Sequence, residues 1–185
     1  MLYSTLLAAG GLVSVVTALP TLNPRAPDGR LVIYWGAEDD STTLDDVCND
    51  DAYSIVNLAF LDKFVADGGY PQISIAGLWD STQAQQDAGA TGLKDGSPIV
   101  EAIKSCQSKG KLVILSLGGW EAAVQLEDDD QAVEVADKIW NLFGGGTETA
   151  DLRPFGEVKL DGFDFGKLDI SNSFPISSAD RQADA

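Results

Sequence analysis

The sequence predicts an α/β fold built on a parallel sheet, and three observations carry that prediction. Short, near-continuous apolar runs occur at Arg30–Trp35, Tyr53–Leu61, Lys111–Leu117 and Val158–Phe165, the pattern of strands buried on both faces. Segments of helical period lie between them, most clearly Pro98–Lys109 and Asp128–Phe143. The spacings leave room for the right-handed crossovers that join parallel strands.

Taken in order, residues 1–18 read as a secretory signal. Leu6 to Val16 is apolar but too short to span a bilayer, and Val16-Thr17-Ala18 offers a cleavage site. Residues 19–29 form a polar, proline-rich linker. The first strand, Arg30–Trp35, ends at Gly36 and an acidic loop, and Thr43–Asn49 follows as a short helix with Ser41 or Thr42 as N-cap. After the second strand, residues 62–97 are irregular, with Gln72–Ala76 as a small extra strand. Pro98–Lys109 is an amphipathic helix stopped by Gly110. Lys111–Leu117 is the clearest strand and breaks at Gly118-Gly119-Trp120. Asp128–Phe143 opens on acids, closes at Gly144–Gly146, and Arg153-Pro154 leads into the fourth strand. Gly118-Gly119 lacks the third spaced glycine of a phosphate loop, and Gly144–Gly146 follows a helix, so a doubly wound nucleotide fold is disfavoured. A (β/α)8 barrel takes about 250 residues. The pattern is therefore that of a truncated (β/α)8 barrel with its first four βα units, in a domain over residues 30–165.

Composition narrows the chemistry. The chain of 185 residues carries a net charge of −17 and no histidine. Nucleic acid is thereby disfavoured as a partner, and so is an anionic membrane once the signal is cleaved. The acids at Glu38-Asp39-Asp40, Asp45-Asp46, Asp50-Asp51 and Glu127–Asp130 lack calcium-loop spacing and read as solvated loops and helix starts. Zinc sites and imidazole catalysis are excluded by the missing histidines and the presence of only two cysteines. In a chain with a secretory leader, Cys48 and Cys106 favour one disulfide over two buried thiols.

The segment that carries chemistry is Lys159–Asp169, K-L-D-G-F-D-F-G-K-L-D. With side chains alternating along a strand, Leu160, Gly162, Asp164, Gly166 and Leu168 share one face, and Asp161, Phe163 and Phe165 the other. A carboxylate between two aromatics is costly to bury unless something uses it. A lone Asp at a strand end also serves as a helix cap, but two acids at this spacing fit that reading less well.

D-G-F-D-F resembles the fourth barrel strand of the glycoside hydrolase family 18 chitinases, whose pattern is Asp-x-x-Asp-x-Asp-x-Glu. Tyr34-Trp35-Gly36, Val56–Leu61 and Ser116-Leu117-Gly118-Gly119 are similar to segments of the family's plant and fungal members, in order and at suitable spacing. So are the helix Val135–Asn141 and the pair Cys48/Cys106. The resemblance implies a secreted protein acting on chitin or chito-oligosaccharides without a metal or cofactor. Its mechanism would be substrate-assisted: the sugar's own acetamide attacks the anomeric carbon, an inward Asp orients it, and a Glu protonates the leaving oxygen. On that pattern Asp161 and Asp164 occupy catalytic-motif positions. Tyr34 would hydrogen-bond near the reacting sugar, Phe60 would wall the interior and Ser116 would bond the strand-four acids. Gly118 and Gly119 would let backbone approach a pyranose. Trp79 and Trp120 are either sugar platforms or ordinary packing.

Two positions depart from the pattern. Gly166 stands where the third Asp belongs and Leu168 where the acid Glu belongs; Asp169 points to the other face. The chain as written is expected to be catalytically inactive, either a non-catalytic oligosaccharide-binding protein or a non-functional truncated product. Residues 166–185 have no strand or helix period and do not resemble the family. One permitted spelling of Gly166-Lys167-Leu168, GGT AAG TTA, contains GTAAGTT, the consensus start of a eukaryotic intron. Its first G also begins an Asp codon.

Overall fold

The computed structural model describes residues 31–38, 42–119 and 122–166. The signal at 1–18, the linker at 19–29, Trp120, Leu168 and most of the 166–185 tail lie outside the described residues. Four strands form a parallel sheet in the order β1-β2-β4-β5: β1 is Leu31–Trp35, β2 Tyr53–Lys63, β4 Leu112–Leu117 and β5 Gly162–Phe165. The two-residue β3, Gln72–Ile73, pairs antiparallel with β2 beyond the end of the main ladder. The helices are α1 (Leu44–Asn49), α2 (Gln83–Asp87), α3 (Val100–Ser108) and α4 (Asp129–Phe143).

Register decides which side chains meet. Leu58 lies beside Leu115 and Phe163, and Val56 beside Val113. This face packs with Val47, Ile103, Val135, Ile139 and Leu142 from the helices into one core. Burying such a Leu or Ile contributes on the order of 2 kcal/mol. The opposite face carries Tyr34, Asn57, Ala59, Ile114, Ser116, Gly162 and Asp164. The period of two thus places the apolar layer under the helices and collects the polar groups on the inner surface of the sheet.

Several element ends differ from the sequence reading. Thr43, rather than Ser41 or Thr42, caps α1: its hydroxyl accepts from the Asp46 amide while the Asp46 carboxylate accepts from the Thr43 amide. A reciprocal pair requires an acid three residues on, which both Thr42 (Asp45) and Thr43 (Asp46) have, and the structure forms the Thr43–Asp46 pair. The fourth strand begins at Gly162, not Val158. Upstream of it, the Val158 amide closes a turn onto Phe155 and the Leu160 amide donates to Phe143, so these residues are tied to the end of α4 and not to β4. Helix α2, with its own Thr82 capping box, lies inside the stretch read as irregular, because five residues are too few to show a period.

The Cys48–Cys106 disulfide joins α1 to α3, with Cα atoms 4.8 Å apart. Arg153 organises the other side of the domain. Its guanidinium donates to the carbonyls of Asn141, Gly144, Gly146, Gly156 and Val158, at 2.6 to 3.3 Å. It thereby caps the carboxyl end of α4 and fixes the approach to β5. Burial lowers its pKa, yet a guanidinium stays charged at any ordinary pH. Arg153→Met is expected to cost about 2–3 kcal/mol, the worth of hydrogen bonds to a charged group. Arg153→Lys should recover little of it, since an ammonium cannot fan out to five acceptors. Urea denaturation of both variants measures this; equal stability of Arg153→Lys and the parent would refute the cage.

Candidate active site

The candidate site lies on the inner face at the carboxyl ends of the parallel strands. Asp164 on β5 is its centre. Its Oδ2 accepts from the Tyr34 hydroxyl at 2.9 Å and from the Ser116 hydroxyl at 2.9 Å. Three strands thus converge on one carboxylate oxygen. Ser116 is fully buried, whereas Tyr34 is 48% exposed, so one donor is fixed by packing and the other stands at the open surface. The Phe60 ring lies 5.9 Å from that of Tyr34 and walls the same side.

The two glycines after β4 have the backbone that side chains resist, with φ near +115° at both. A Cβ on Gly119 would come within 3.2 Å of the Phe60 ring. The Gly118 amide meanwhile donates to the Leu61 carbonyl at 2.9 Å, tying the turn to β2. The glycines bring backbone and aromatic ring together, which is what a close approach demands.

Asp161 is not brought to this centre. It sits at the foot of β5 on the opposite face, and its Oδ2 accepts from the Val113 amide at 2.8 Å and the Gln107 side chain at 3.1 Å. An odd residue separation along a strand puts Asp161 and Asp164 on opposite faces. Gly166 lies on the Asp164 side. A Cβ there would point to the Ser116 hydroxyl at 3.5 Å and the Leu117 carbonyl at 3.3 Å. The backbone therefore admits a short side chain beside Ser116 with a shift of a few tenths of an ångström. Trp79 is 63% exposed on the loop after β3, where its backbone bridges to Asp95.

One residue went unread in the sequence. Asn57 interrupts the apolar run Y-S-I-V-N-L-A-F-L, is 2% exposed, and its Oδ1 has no hydrogen-bond partner among the described residues. An unpaired buried oxygen costs about 1–3 kcal/mol. An amide inside a strand otherwise buried and apolar was the available signal.

Burial raises the Tyr34 pKa, and the hydrogen bond to Asp164 and that carboxylate's charge push it the same way, while the neighbouring Asn57 amide opposes them. A pKa raised by folding means stabilisation that is present below the ordinary tyrosine value of about 10 and lost as pH climbs through the raised value. Stability should therefore fall in that alkaline window, and Tyr34→Phe should flatten the fall. Urea melts above about pH 9 provide the check; parallel curves for both proteins would show that Tyr34 is not the titrating group. Among the described residues, no cluster of three or more His, Cys, Asp or Glu side chains could hold a metal ion. No helix among them is long and apolar enough to cross a membrane.

No protein-family model matches the chain. It is 60% identical over 142 residues to endochitinase 3 of Metarhizium anisopliae, covering 76% of this chain and 48% of that protein. It is 39% identical over 135 residues to the acidic endochitinase of Cicer arietinum, covering 73% and 42%. Among solved structures, the ICChI chitinase from Ipomoea carnea superposes with a TM-score of 0.61 at 32% identity, over 76% of this chain and 47% of that one.

The chain belongs to the glycoside hydrolase family 18 chitinases. The parallel sheet and its chitinase neighbours make this a TIM-barrel-type fold. The chain spans about half the length of the curated chitinases it matches. Another neighbour at a TM-score of 0.60 and 28% identity is a xylanase and alpha-amylase inhibitor, XAIP-II of Scadoxus multiflorus, matched over 75% of this chain and 45% of that one. Chitinase-like architecture therefore extends to a protein described as an inhibitor.

Proposed function

We propose that residues 30–165 form the first four βα units of a chitinase barrel and carry the corresponding part of its sugar site. Asp164, Tyr34 and Ser116 face the substrate, Phe60 and the Gly118-Gly119 turn wall it, and Asp161 braces β5 against β4 and α3 from behind. The substrate class is β-1,4-linked N-acetylglucosamine, and the protein is secreted, as the leader at 1–18 suggests. The single observation that carries the reading is the convergence of Tyr34 and Ser116 on one oxygen of Asp164, on the face where the family pattern puts its acids.

Among the described residues that site holds no carboxylic acid placed to protonate a leaving group. Gly166 contributes no carboxylate beside Ser116 to orient an acetamide, and Leu168 has no proton to give. The chain therefore binds chito-oligosaccharide without cleaving it. The intact Asp164 network is what supports binding by this chain, independently of how residues 166–185 arose. Calorimetric titration with β-1,4-linked N-acetylglucosamine tetramer tests this: binding lost in Asp164→Ala is expected, and no heat from the parent chain would refute it.

We further propose that residues 166–185 translate an intron. Comparison of genomic DNA with transcript is expected to show GT at the second and third bases of codon 166, with a downstream acceptor that restores Asp-x-Glu in the spliced message. Absence of either refutes the proposal.

A further inference from the structure

The sheet face that carries Asp164 is concave. Neighbouring strands lie about 4.8 Å apart, so in a flat sheet β1 and β5, with β2 and β4 between them, would stand about 14 Å apart with their side chains parallel. The Tyr34 hydroxyl on β1 nevertheless reaches Asp164 on β5 at 2.9 Å. The two end strands therefore turn toward each other, and the sheet has the arc of a barrel.

That arc is open. Among the described residues β1 and β5 each pair with one strand, which leaves a row of main-chain donors and acceptors along each outer edge. Leu31, Val32 and Tyr34 on β1 are 55, 45 and 48% exposed, and Phe165 on β5 is 66% exposed. Edge strands are ordinarily guarded by lysine or proline. β1 reads L-V-I-Y-W and β5 reads G-F-D-F, with neither guard. On the inner face Val32, Ile55 and Leu112 share one register row, an apolar layer that no other sheet covers among the described residues.

What fits this surface is four parallel strands of the same arc and direction, with one free edge for β5 and another for β1. A second copy of the chain presents that surface. A two-fold rotation about an axis along the strands sets β5 of each copy beside β1 of the other, and closes both edges in one operation. The ring then has eight parallel strands, the number at which side chains just fill the interior. Residues 167–185 have no strand period and do not offer such a sheet.

We propose that this protein closes as a two-fold dimer in which two four-stranded sheets form one eight-stranded barrel, a proposal that rests on the four-unit reading above. Each β5 then lies between its own β4 and the second copy's β1, so the second copy walls the side of Asp164 that a single chain leaves open. Charge opposes the union from outside the seam. Each copy carries −17, whereas β1 has no charged residue and β5 has only Asp164. Salt screens repulsion beyond about 10 Å, so the dimer should tighten as salt is raised.

Sedimentation equilibrium of the full 185-residue chain is the test, at low and at moderate salt. A single monomer–dimer step is expected, with the smaller dissociation constant at the higher salt. Val32→Lys and Phe165→Lys fall at exposed positions that accept a lysine in the single chain, and each should weaken the dimer more than about tenfold by placing an unpaired charge at both seams. An equimolar mixture of the two variants should dimerise better than either alone, because the mixed dimer keeps one unaltered β5–β1 seam. A monodisperse monomer overturns the proposal, and so do species that grow past the dimer with concentration. A dimer that survives both lysines, or a mixture no tighter than its components, overturns the β5–β1 seam. Calorimetric titration with β-1,4-linked N-acetylglucosamine tetramer separates closure from the sugar reading. A monomer that binds tetramer refutes closure alone, and a dimer that binds none refutes the sugar reading alone.

Discussion

The recombinant chain is expected to release no product from a chromogenic β-1,4-linked N-acetylglucosamine oligomer above the buffer rate. A positioned acid contributes about 10²–10⁴-fold to such a reaction, and here Leu168 occupies its motif position. The second loss compounds the first, because glycine at 166 leaves the Ser116 hydroxyl facing Asp164 alone. Gly166→Asp should be accommodated with a shift of a few tenths of an ångström at the Leu117 carbonyl, but should not restore turnover by itself, since it adds no proton donor. Turnover by the parent chain that disappears in Asp164→Asn would overturn the assignment.

Loss of the Cys48–Cys106 bond is the other large effect. The bridge spans 58 residues, and in the chain-entropy model closing such a loop is worth about 4 kcal/mol. Total stabilities of single domains run to about 5–15 kcal/mol, so the bond is a large part of the whole. Cys48→Ala/Cys106→Ala, or the reduced parent, should melt roughly 10 °C lower. Both sulfurs belong to fully buried residues. The native protein should therefore resist iodoacetamide and show a mass two hydrogens below that of the reduced chain. Two thiols that alkylate without denaturant would count against the bridge.

How much of this was legible depends on where packing alone sets the answer. Tyr53–Lys63 and Leu112–Leu117 read correctly as strands because both their faces are covered and apolar character runs through them. The start of β5 did not, since Val158 and Leu160 are equally apolar but pack against the end of α4 and not beside β4. The helix cap went to Thr43 because three adjacent hydroxyl residues, Ser41, Thr42 and Thr43, look alike until the partner Asp46 is placed. At the site, alternation put Asp164 on the face of Ser116, and it also put Asp161 behind. What sequence marks only as an interruption is Asn57: the burial and missing partner of its amide oxygen depend on the strands packed around it. Arg153 was hidden for the same reason, as all five of its acceptors are backbone atoms that no side-chain pattern marks.

The choice of carbonyl partners for the buried Lys111 and the half-buried Arg153 has a consequence for the solution in which this protein can work. Lys111 donates to the Asp50 and Tyr53 carbonyls at 2.6 and 2.7 Å, and Arg153 to five more. The ion pairs among the described residues, by contrast, all use carboxylates at the surface. Dissolved salt weakens attraction between exposed charges over about 10 Å but does little to a cation seated on dipoles at contact distance. Acid likewise removes the charge of a carboxylate and leaves a carbonyl unchanged. The two carbonyl clamps should therefore hold in brine and in mildly acidic media alike, in a chain whose large negative charge would otherwise make its stability follow ionic strength.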